Sequence, residues 1–582
     1  MIEALRTLIP YMVRYRWRYA AGFTALILTV LTSASIPALI GYAVDELNRS
    51  FSMELTLKLG GGLLAAGLAK GVFQYWMRWV LIGISRDIEY DLRNDLFARL
   101  VVQSQRFYQT HRTGDLMSRA TNDMNAVRLM LGPGVMYTAD VTMTFIILLG
   151  VMSSTDWRLT LAIFVPIPLV SFTVSFFGRR IHDRFQTVQE KFSDISSLVQ
   201  ENLANVRIVR AYAQEEAETA RFRLINTEYI RENLRLIRLW GQFYPLLETM
   251  IGFTYVIVLW FGGRQVLAGA ITLGDFVMFM TYTTMLTWPM IGIGWVVNIV
   301  QRGRASLGRL TEFMNAPCAI ADGEATDHAI TGIRGDIELR DVSFTYPGSE
   351  WPALDQVSLY VPAGRAVAII GPTGSGKTTL LNLLARLMDP QSGAVAIDGT
   401  DARRIPLQVL RQAIGFVPQE TFLFSRTIRG NIAFGAPEAE PWEIGEAAAV
   451  ADLHGDVEEF PQQYETYVGE RGITLSGGQK QRTAIARAIV RDPRILMLDD
   501  ALSSVDTITE ERILTQLQAS MRNRTALMIS HRVSAARHAD LILVLDKGRI
   551  VESGTHGELM ALEGEYYELY QKQLLEEELE TV

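Results

Sequence analysis

Between residues 366 and 379 the chain reads AVAIIGPTGSGKTT. The run from Gly371 through Pro372, Thr373, Gly374, Ser375 and Gly376 to Lys377 and Thr378 has the spacing G-x-x-x-x-G-K-[ST] of a phosphate-binding loop. Thr379 follows directly, an apolar β-type run precedes it, and a helix-compatible run comes after. Small residues at these positions let successive backbone N–H groups turn inward around phosphates. The helix that follows points its positive end at the same charge. Lys377 is placed to reach the β and γ phosphates of a nucleotide, and Thr378 to hold Mg²⁺.

Other strings of the second half carry complementary chemistry. In IELRDVSFTYPG, Tyr346 sits between two strand signals, where its aromatic face could stack on a nucleobase. Gln419 closes the strand-like run IGFVPQ and is a polar candidate for Mg²⁺ or the attacking water. Residues 469 to 482, GERGITLSGGQKQR, hold Leu475, Ser476, Gly477, Gly478 and Gln479, a second small-residue anion-binding turn ahead of a helical run. ILMLDD, at 495 to 500, reads as a buried strand ending in two carboxylates: Asp499 to order Mg²⁺ and Asp500 where a general base would sit. The turn ALSSVD runs to Asp506, and the strand ALMIS ends at His531, placed to contact the γ phosphate and the attacking water.

The first half is built differently. Charged residues make up 20% of the 582-residue chain and mean hydropathy is +0.15, but the apolar excess lies before about residue 315. Six candidate spans fall at 19 to 44, 57 to 82, 134 to 154, 158 to 178, 246 to 268 and 275 to 300, each near the roughly 20 residues that cross a bilayer. Lys70, Asp140 and Glu248 interrupt them or lie at their edges, so the spans are expected to pack together or face a wet cavity. Met278, Met280, Tyr282, Met285, Trp288 and Met290 could make an adaptable apolar wall or ordinary helix packing. Short connections at 45 to 56, 155 to 157 and 269 to 274 alternate with long ones at 83 to 133 and 179 to 245. The first long one carries seven arginines, Arg86, Arg93, Arg99, Arg106, Arg112, Arg119 and Arg128. With Arg14, Arg16 and Arg18 they place the N-terminus and both long connections in the cytoplasm by the positive-inside tendency. The long connections read as extended helices that reverse near Gly114 and near Tyr212 to Glu216, presenting short transverse segments as a mechanical link.

The expected domains are 1–315, the membrane part; 316–335, a linker rich in Ala, Asp, Gly and Thr; and 336–582, a nucleotide-binding domain. A net charge of −8 gives no support for nucleic-acid binding. The single cysteine, Cys318, excludes an intramolecular disulfide and a multi-cysteine metal site. The tail after Gly554, with His556, Glu558 and the acidic stretch LLEEELE, reads as a solvated terminal helix.

Taken together, these strings resemble a half-transporter of the ABC exporter superfamily, of the multidrug and lipid exporter type, over essentially the whole chain. GPTGSGKTT matches Walker A, Gln419 the Q-loop, LSGGQ the signature, ILMLD Walker B, SSVD the D-loop, His531 the switch histidine, Tyr346 the A-loop and Gly469 to Gly472 the X-loop. The resemblance implies an all-α six-helix transmembrane domain fused to an α/β P-loop nucleotide-binding domain. It implies ATP and Mg²⁺ as cofactors, and a multi-pass chain in a bacterial inner membrane with its nucleotide domain in the cytoplasm. It also implies a dimer, in which Lys377 and Ser476 of one chain serve different nucleotides.

One residue departs from the pattern. Working members of the family usually carry Glu where this chain has Asp500, one methylene shorter. The intact signature beside a shortened base resembles the hydrolysis-impaired subunit of heterodimeric bacterial exporters, so the expected partner is a different half-transporter with Glu at that position. The expected cargo is an amphipathic drug or lipid. A slowly hydrolysing homodimer, an importer on the same fold, and a nucleotide-gated channel or regulatory membrane protein are the alternatives that the residues leave open.

Overall fold

The structure is a computed structural model that describes residues 2–505, 507–521 and 524–580. Asp506 lies outside the described residues, as do the side chains of Trp288 and Met290. The chain forms two compact units: residues Met1–Val101 with Arg112–Ala316, and Val102–His111 with Pro317–Val582.

The first unit is all helix. A short N-terminal helix α1 (Ile2–Arg14) buries Leu8 and is tied down just past its end, where the Tyr15 hydroxyl donates to Asp91 at 3.0 Å and Arg14 pairs with the same carboxylate at 2.9 Å. Among the described residues, five continuous helices are long and apolar enough to cross a membrane: α2 (Arg16–Arg49), α3 (Met53–Val101), α5 (Thr113–Thr155), α9 (Glu215–Leu267) and α10 (Leu273–Met314). In sequence the six-residue α4 (Gln105–Thr110), which belongs to the second unit, lies between α3 and α5. The stretch expected to make the span at 158 to 178 is helical but broken into two helices in series, α6 (Trp157–Phe164) and α7 (Ile167–Ala204). The physical reason is Pro166, whose ring nitrogen cannot donate the intrahelical bond. Asp156 starts α6 by accepting the Leu159 N–H at 2.6 Å, an N-cap.

Polar contacts fix the outer ends of the bundle. Asp45 of α2 accepts the Gly274 N–H at 2.6 Å, and Thr272 and Asp275 close a capping box at the start of α10. Tyr282, fully buried, donates its hydroxyl to the Ala34 carbonyl at 2.7 Å. Met278 is buried with it, and Met280 and Met285 pack against the same cluster as Leu148 and Leu159. These residues of the expected apolar wall are therefore helix packing. Asp140 is half-buried with Arg78 and Lys70 of α3 as the charges acting on it, and Glu248 is exposed.

Where α5 and α10 extend past their apolar stretches they are locked by an ionic cluster. Asp123, 8% exposed, accepts from Arg309 Nε at 2.8 Å and from Ser306 Oγ at 2.8 Å, with a further bond from Arg309 Nη2. Arg119 stacks its guanidinium 3.9 Å from the Phe313 ring and donates to the Arg309 carbonyl at 3.2 Å. The bonds from Arg309 hold the Asp123 carboxyl below the usual carboxylate range. A depressed pKa contributes stability that is present above the ordinary value and lost as pH falls through the lowered one. Asp123→Asn is expected to cost about 2 kcal/mol, the worth of a hydrogen bond to a charged group, read as a lower melting point in detergent at pH 7. An unchanged melting point would remove this cluster as a brace.

The chain turns back between α3 and α5 over 102–112, just ahead of Gly114, and again at Tyr212–Gln214 after the short helix α8 (Val206–Ala211). The first turn groups with the second unit: the Cys318 thiol donates to the Val102 carbonyl at 2.9 Å.

Among the described residues of the second unit ten strands form two sheets. They are β1 (Ile337–Phe344), β2 (Leu354–Val361), β3 (Ala366–Ile370), β4 (Ser392–Ile397), β5 (Thr400–Asp401), β6 (Ile414–Val417), β7 (Ile495–Asp499), β8 (Thr525–Ile529), β9 (Leu541–Asp546) and β10 (Arg549–Gly554). The first sheet is antiparallel in the order β2-β1-β4-β5; the second has the order β10-β9-β3-β8-β7-β6, with β3, β8, β7, β6 and β9 parallel. β3 and β7 are apolar runs buried along nearly their full length, as strands covered on both faces require. Leu339, Val367, Ile369, Leu380 and Leu384 belong to one core, and Ile428, Ile444, Val457 and Ile485 to a second, helical one.

The tail is not simply solvated. After helix α14 (His556–Leu562), the last helix α15 (Glu565–Glu580) buries Tyr566 completely, with its hydroxyl 2.7 Å from His556 Nδ1.

Candidate nucleotide site

Three neighbouring parallel strands deliver the chemistry, since β3, β8 and β7 lie side by side and point their carboxyl ends the same way. β3 runs out at Ile370 into the phosphate loop, β7 ends on Asp499, and β8 ends two residues before His531. This is the edge where open α/β sheets bind ligands.

The loop's glycines are required by its shape. Gly371 (φ 143°) and Gly376 (φ 104°) have left-side backbones, and a Cβ would lie 2.0 Å from the Leu545 carbonyl oxygen at the first and 2.2 Å from that of Ala353 at the second. Helix α11 (Lys377–Leu384) starts directly afterwards. Lys377 folds back over the loop and donates to the Gly371 and Pro372 carbonyls, each at 2.8 Å. Ser375 is buried and its hydroxyl has no hydrogen-bond partner. An orphaned buried hydroxyl beside inward-turned N–H groups fits a loop completed by a ligand's phosphate oxygens.

A cavity of about 380 Å³ opens on this loop, and its lining brings together Tyr346, Lys377, Thr378, Gln419, Asp499 and His531 from five separate stretches. The Tyr346 hydroxyl lies 3.1 Å from Thr379 Oγ1, and its ring stands edge-on to Phe344. The Thr378 hydroxyl donates to Asp499 Oδ1 at 3.1 Å. One hydroxyl and one carboxylate suit Mg²⁺, which keeps waters and substrate phosphates as its other ligands. Among the described residues no cluster of three or more His, Cys, Asp or Glu side chains could hold a metal by itself.

Burial sets the electrostatics. It pulls the Lys377 ammonium below the ordinary lysine value, against the opposing charges of Asp499 and Asp500. It pushes Asp499 above the usual carboxylate range, against the Thr378 hydrogen bond. A carboxylate with a raised pKa contributes stability that is present below its ordinary value and lost as pH rises through the raised one, so charged Asp499 is a cost to the empty fold at neutral pH. Asp499→Asn is expected to raise the melting point of the nucleotide-free chain, by about 2–4 °C per kcal/mol recovered, while abolishing Mg²⁺-dependent nucleotide binding. A lower melting point would contradict this assignment.

Asp500 is placed differently from the other site residues. It does not line the 380 Å³ cavity but a neighbouring one of about 220 Å³, which it shares with His531, Ser503 and Glu510. Its backbone is left-handed (φ 49°), a conformation Asp tolerates better than most residues, and its N–H donates to the Ile529 carbonyl at 3.0 Å.

The signature residues do not line the cavity that holds Lys377. Ser476 caps helix α12 (Gly477–Ile489), accepting the Gln479 N–H at 3.2 Å while Gln479 Oε1 accepts the Ser476 N–H at 3.1 Å. Gln481 then ties this helix to the turn after β7, bonding Ser503 Oγ at 3.0 Å and accepting the Ser504 N–H at 2.9 Å. Glu510 carries no expectation of its own from spacing, whereas Ser375 is one of the residues expected in the phosphate loop.

Comparison with known proteins agrees with this layout. Residues 19–290 match the ABC transporter transmembrane region and residues 354–503 the ABC transporter domain. The chain is 38% identical over 579 residues to a probable multidrug resistance ABC transporter ATP-binding/permease protein, YheI, of Bacillus subtilis, covering 99% of this chain and 98% of the relative. It is 35% identical to the multidrug resistance-like ATP-binding protein MdlA of Escherichia coli (97% and 96% covered). It is also 35% identical to an ATP-dependent lipid A-core flippase of Syntrophus aciditrophicus (97% and 93% covered). The structure of a bacterial Atm1-family ABC exporter with ATP bound superposes with a TM-score of 0.80 at 28% identity, covering 96% of this chain and 98% of that one.

Proposed function

This chain belongs to the ABC exporters, membrane ATPases that join a transmembrane region and an ATP-binding domain in one polypeptide, and we propose that it is the hydrolysis-impaired half of a heterodimeric exporter of amphipathic drugs or lipids. The observation that carries the reading is Asp500: the residues named in the nucleotide cavity have the types their tasks need, and the base in the neighbouring cavity alone is shortened.

In this reading Lys377 binds the β and γ phosphates, Tyr346 stacks on the adenine, and Thr378 and Asp499, with Gln419 beside them, hold Mg²⁺. The metal, when bound, neutralises charge developing on the phosphates. Asp500 accepts the proton of the water that attacks the γ phosphorus as the bond to the leaving oxygen breaks, and His531 contacts the γ phosphate. Ser476, Gly477, Gly478 and Gln479 complete the site of the facing half. The relatives named multidrug resistance proteins and lipid A-core flippases support an amphipathic cargo. The N-terminus and nucleotide domain lie in the cytoplasm of a bacterial inner membrane, and 316–335 links the membrane and nucleotide domains.

A second reading, a slowly hydrolysing homodimer, is favoured by the 220 Å³ cavity at Asp500, which has room for a water to bridge the missing methylene. Vesicle transport separates either reading from a channel: substrate accumulation that stops when Mg²⁺ is chelated supports a pump, and flux down a gradient with bound but unhydrolysed ATP contradicts it.

A further inference from the structure

The loop that carries His531 is held from two sides, chiefly by groups outside the nucleotide motifs. On one side the Ser530 hydroxyl brackets Arg532, accepting its N–H at 2.9 Å and donating to its carbonyl at 3.1 Å. The Arg532 guanidinium pairs with Glu510, on helix α13 (Thr507–Met521), and reaches the Val505 carbonyl at 3.5 Å. On the other side stands Gln573 of α15. Its Oε1 accepts the Val533 N–H at 2.6 Å, and its Nε2 donates to the His531 carbonyl.

A primary amide carries a donor and an acceptor on one planar group, and here both are used on backbone groups two residues apart. Glu in its place would keep the acceptor and set a carboxylate against a carbonyl. Leu would keep the bulk and lose both bonds. The helix that offers this amide is itself anchored: Tyr566 is fully buried, and Glu552 accepts the Glu565 and Tyr566 N–H groups at 2.6 and 3.0 Å. The backbone of His531 is thereby fixed from α15, while its side chain lies between the nucleotide cavity and the one at Asp500.

We infer that Gln573 is a positioning residue for His531, so that the C-terminal helix sets the switch loop for hydrolysis. The inference rests on the reading of His531 as a γ-phosphate contact. It predicts a loss in kcat without a matching loss of nucleotide binding, because Lys377 and Thr378, which carry most of that binding, sit on a separate helix. A displacement of a reacting group by about 1 Å can cost on the order of 10²-fold in rate, and partial loosening of the loop should cost roughly tenfold by the same reasoning.

The test is a double-mutant cycle in the full-length chain, run both in the parental background and with Asp500→Glu. Gln573→Leu should lower kcat roughly tenfold with KM for ATP and trinitrophenyl-ATP binding within about twofold, and Gln573→Glu should fall between it and the parent. With His531→Ala already present, Gln573→Leu should cause no further loss. Unchanged kcat in Gln573→Leu, a loss that adds fully to His531→Ala, or equal losses of kcat and nucleotide binding would each overturn the inference. If His531→Ala leaves kcat unchanged, the reading of His531 itself fails and the positioning role falls with it. That outcome is distinct from a silent Gln573→Leu beside a damaging His531→Ala.

Discussion

Lys377→Ala is expected to lower nucleotide affinity and ATP turnover by at least about 10²-fold, the equivalent of roughly 3 kcal/mol. The ammonium is buried, held over the loop by two carbonyls at 2.8 Å, and depressed by its desolvation. It has already lost most of its hydration before nucleotide arrives, so little further desolvation opposes its pairing with phosphate. Removing one member of a buried, hydrogen-bonded charge pair costs about 2–5 kcal/mol. The loop fold depends instead on Gly371 and Gly376, so the melting point of the empty protein should hold. Trinitrophenyl-ATP titration and phosphate release measure the effect, and binding within threefold of the parent would show that the phosphates sit elsewhere.

Asp500→Glu is the second large effect, and its sign is opposite. The side chain gains one methylene, enough to move a carboxylate by about the 1 Å that can be worth on the order of 10²-fold in rate. A general base must come within about 2.6–3.2 Å of the proton it takes. Asp500 now faces the 220 Å³ cavity with His531 rather than the one that holds Lys377, and the longer side chain extends its reach. Turnover by the variant should rise by up to about 10²-fold with ATP affinity little changed, since Lys377, Thr378 and Asp499 are untouched. A fall in turnover would mean that the left-handed backbone at residue 500 rejects Glu and that Asp is the fitted base.

Much of the candidate nucleotide site is legible in the sequence because each of its parts is a short string with its own geometry. A glycine loop after an apolar run implies a strand-to-helix turn, and a strand ending in Asp implies a carboxylate at a sheet edge. The side-by-side order of β3, β8 and β7 explains why Lys377, His531 and Asp499 then meet in one cavity. Gln573 was not legible, because its bonds to Val533 and His531 span 40 and 42 residues and follow no spacing rule. The break between α6 and α7 was written in Pro166, yet hydropathy averaged over the stretch hides a single missing donor. Met278 and Tyr282 illustrate the reverse difficulty: the same residue types serve a ligand wall or a packed core, and only the contacts with Leu148 and Leu159 decide for the core. The tail's acidic composition likewise concealed Tyr566, whose burial turns a terminal helix into a structural support.

The most direct test is phosphate release by the purified, unmodified chain alone, set against the same chain co-purified with a half-transporter that carries Glu at the position of Asp500. The chain alone is expected to release phosphate at roughly 1% of the rate of the complex, the cost of a base displaced by about one bond length. Turnover by the chain alone as fast as that of the complex, and cooperative in ATP, would contradict it and make Asp500 a competent base in a homodimer.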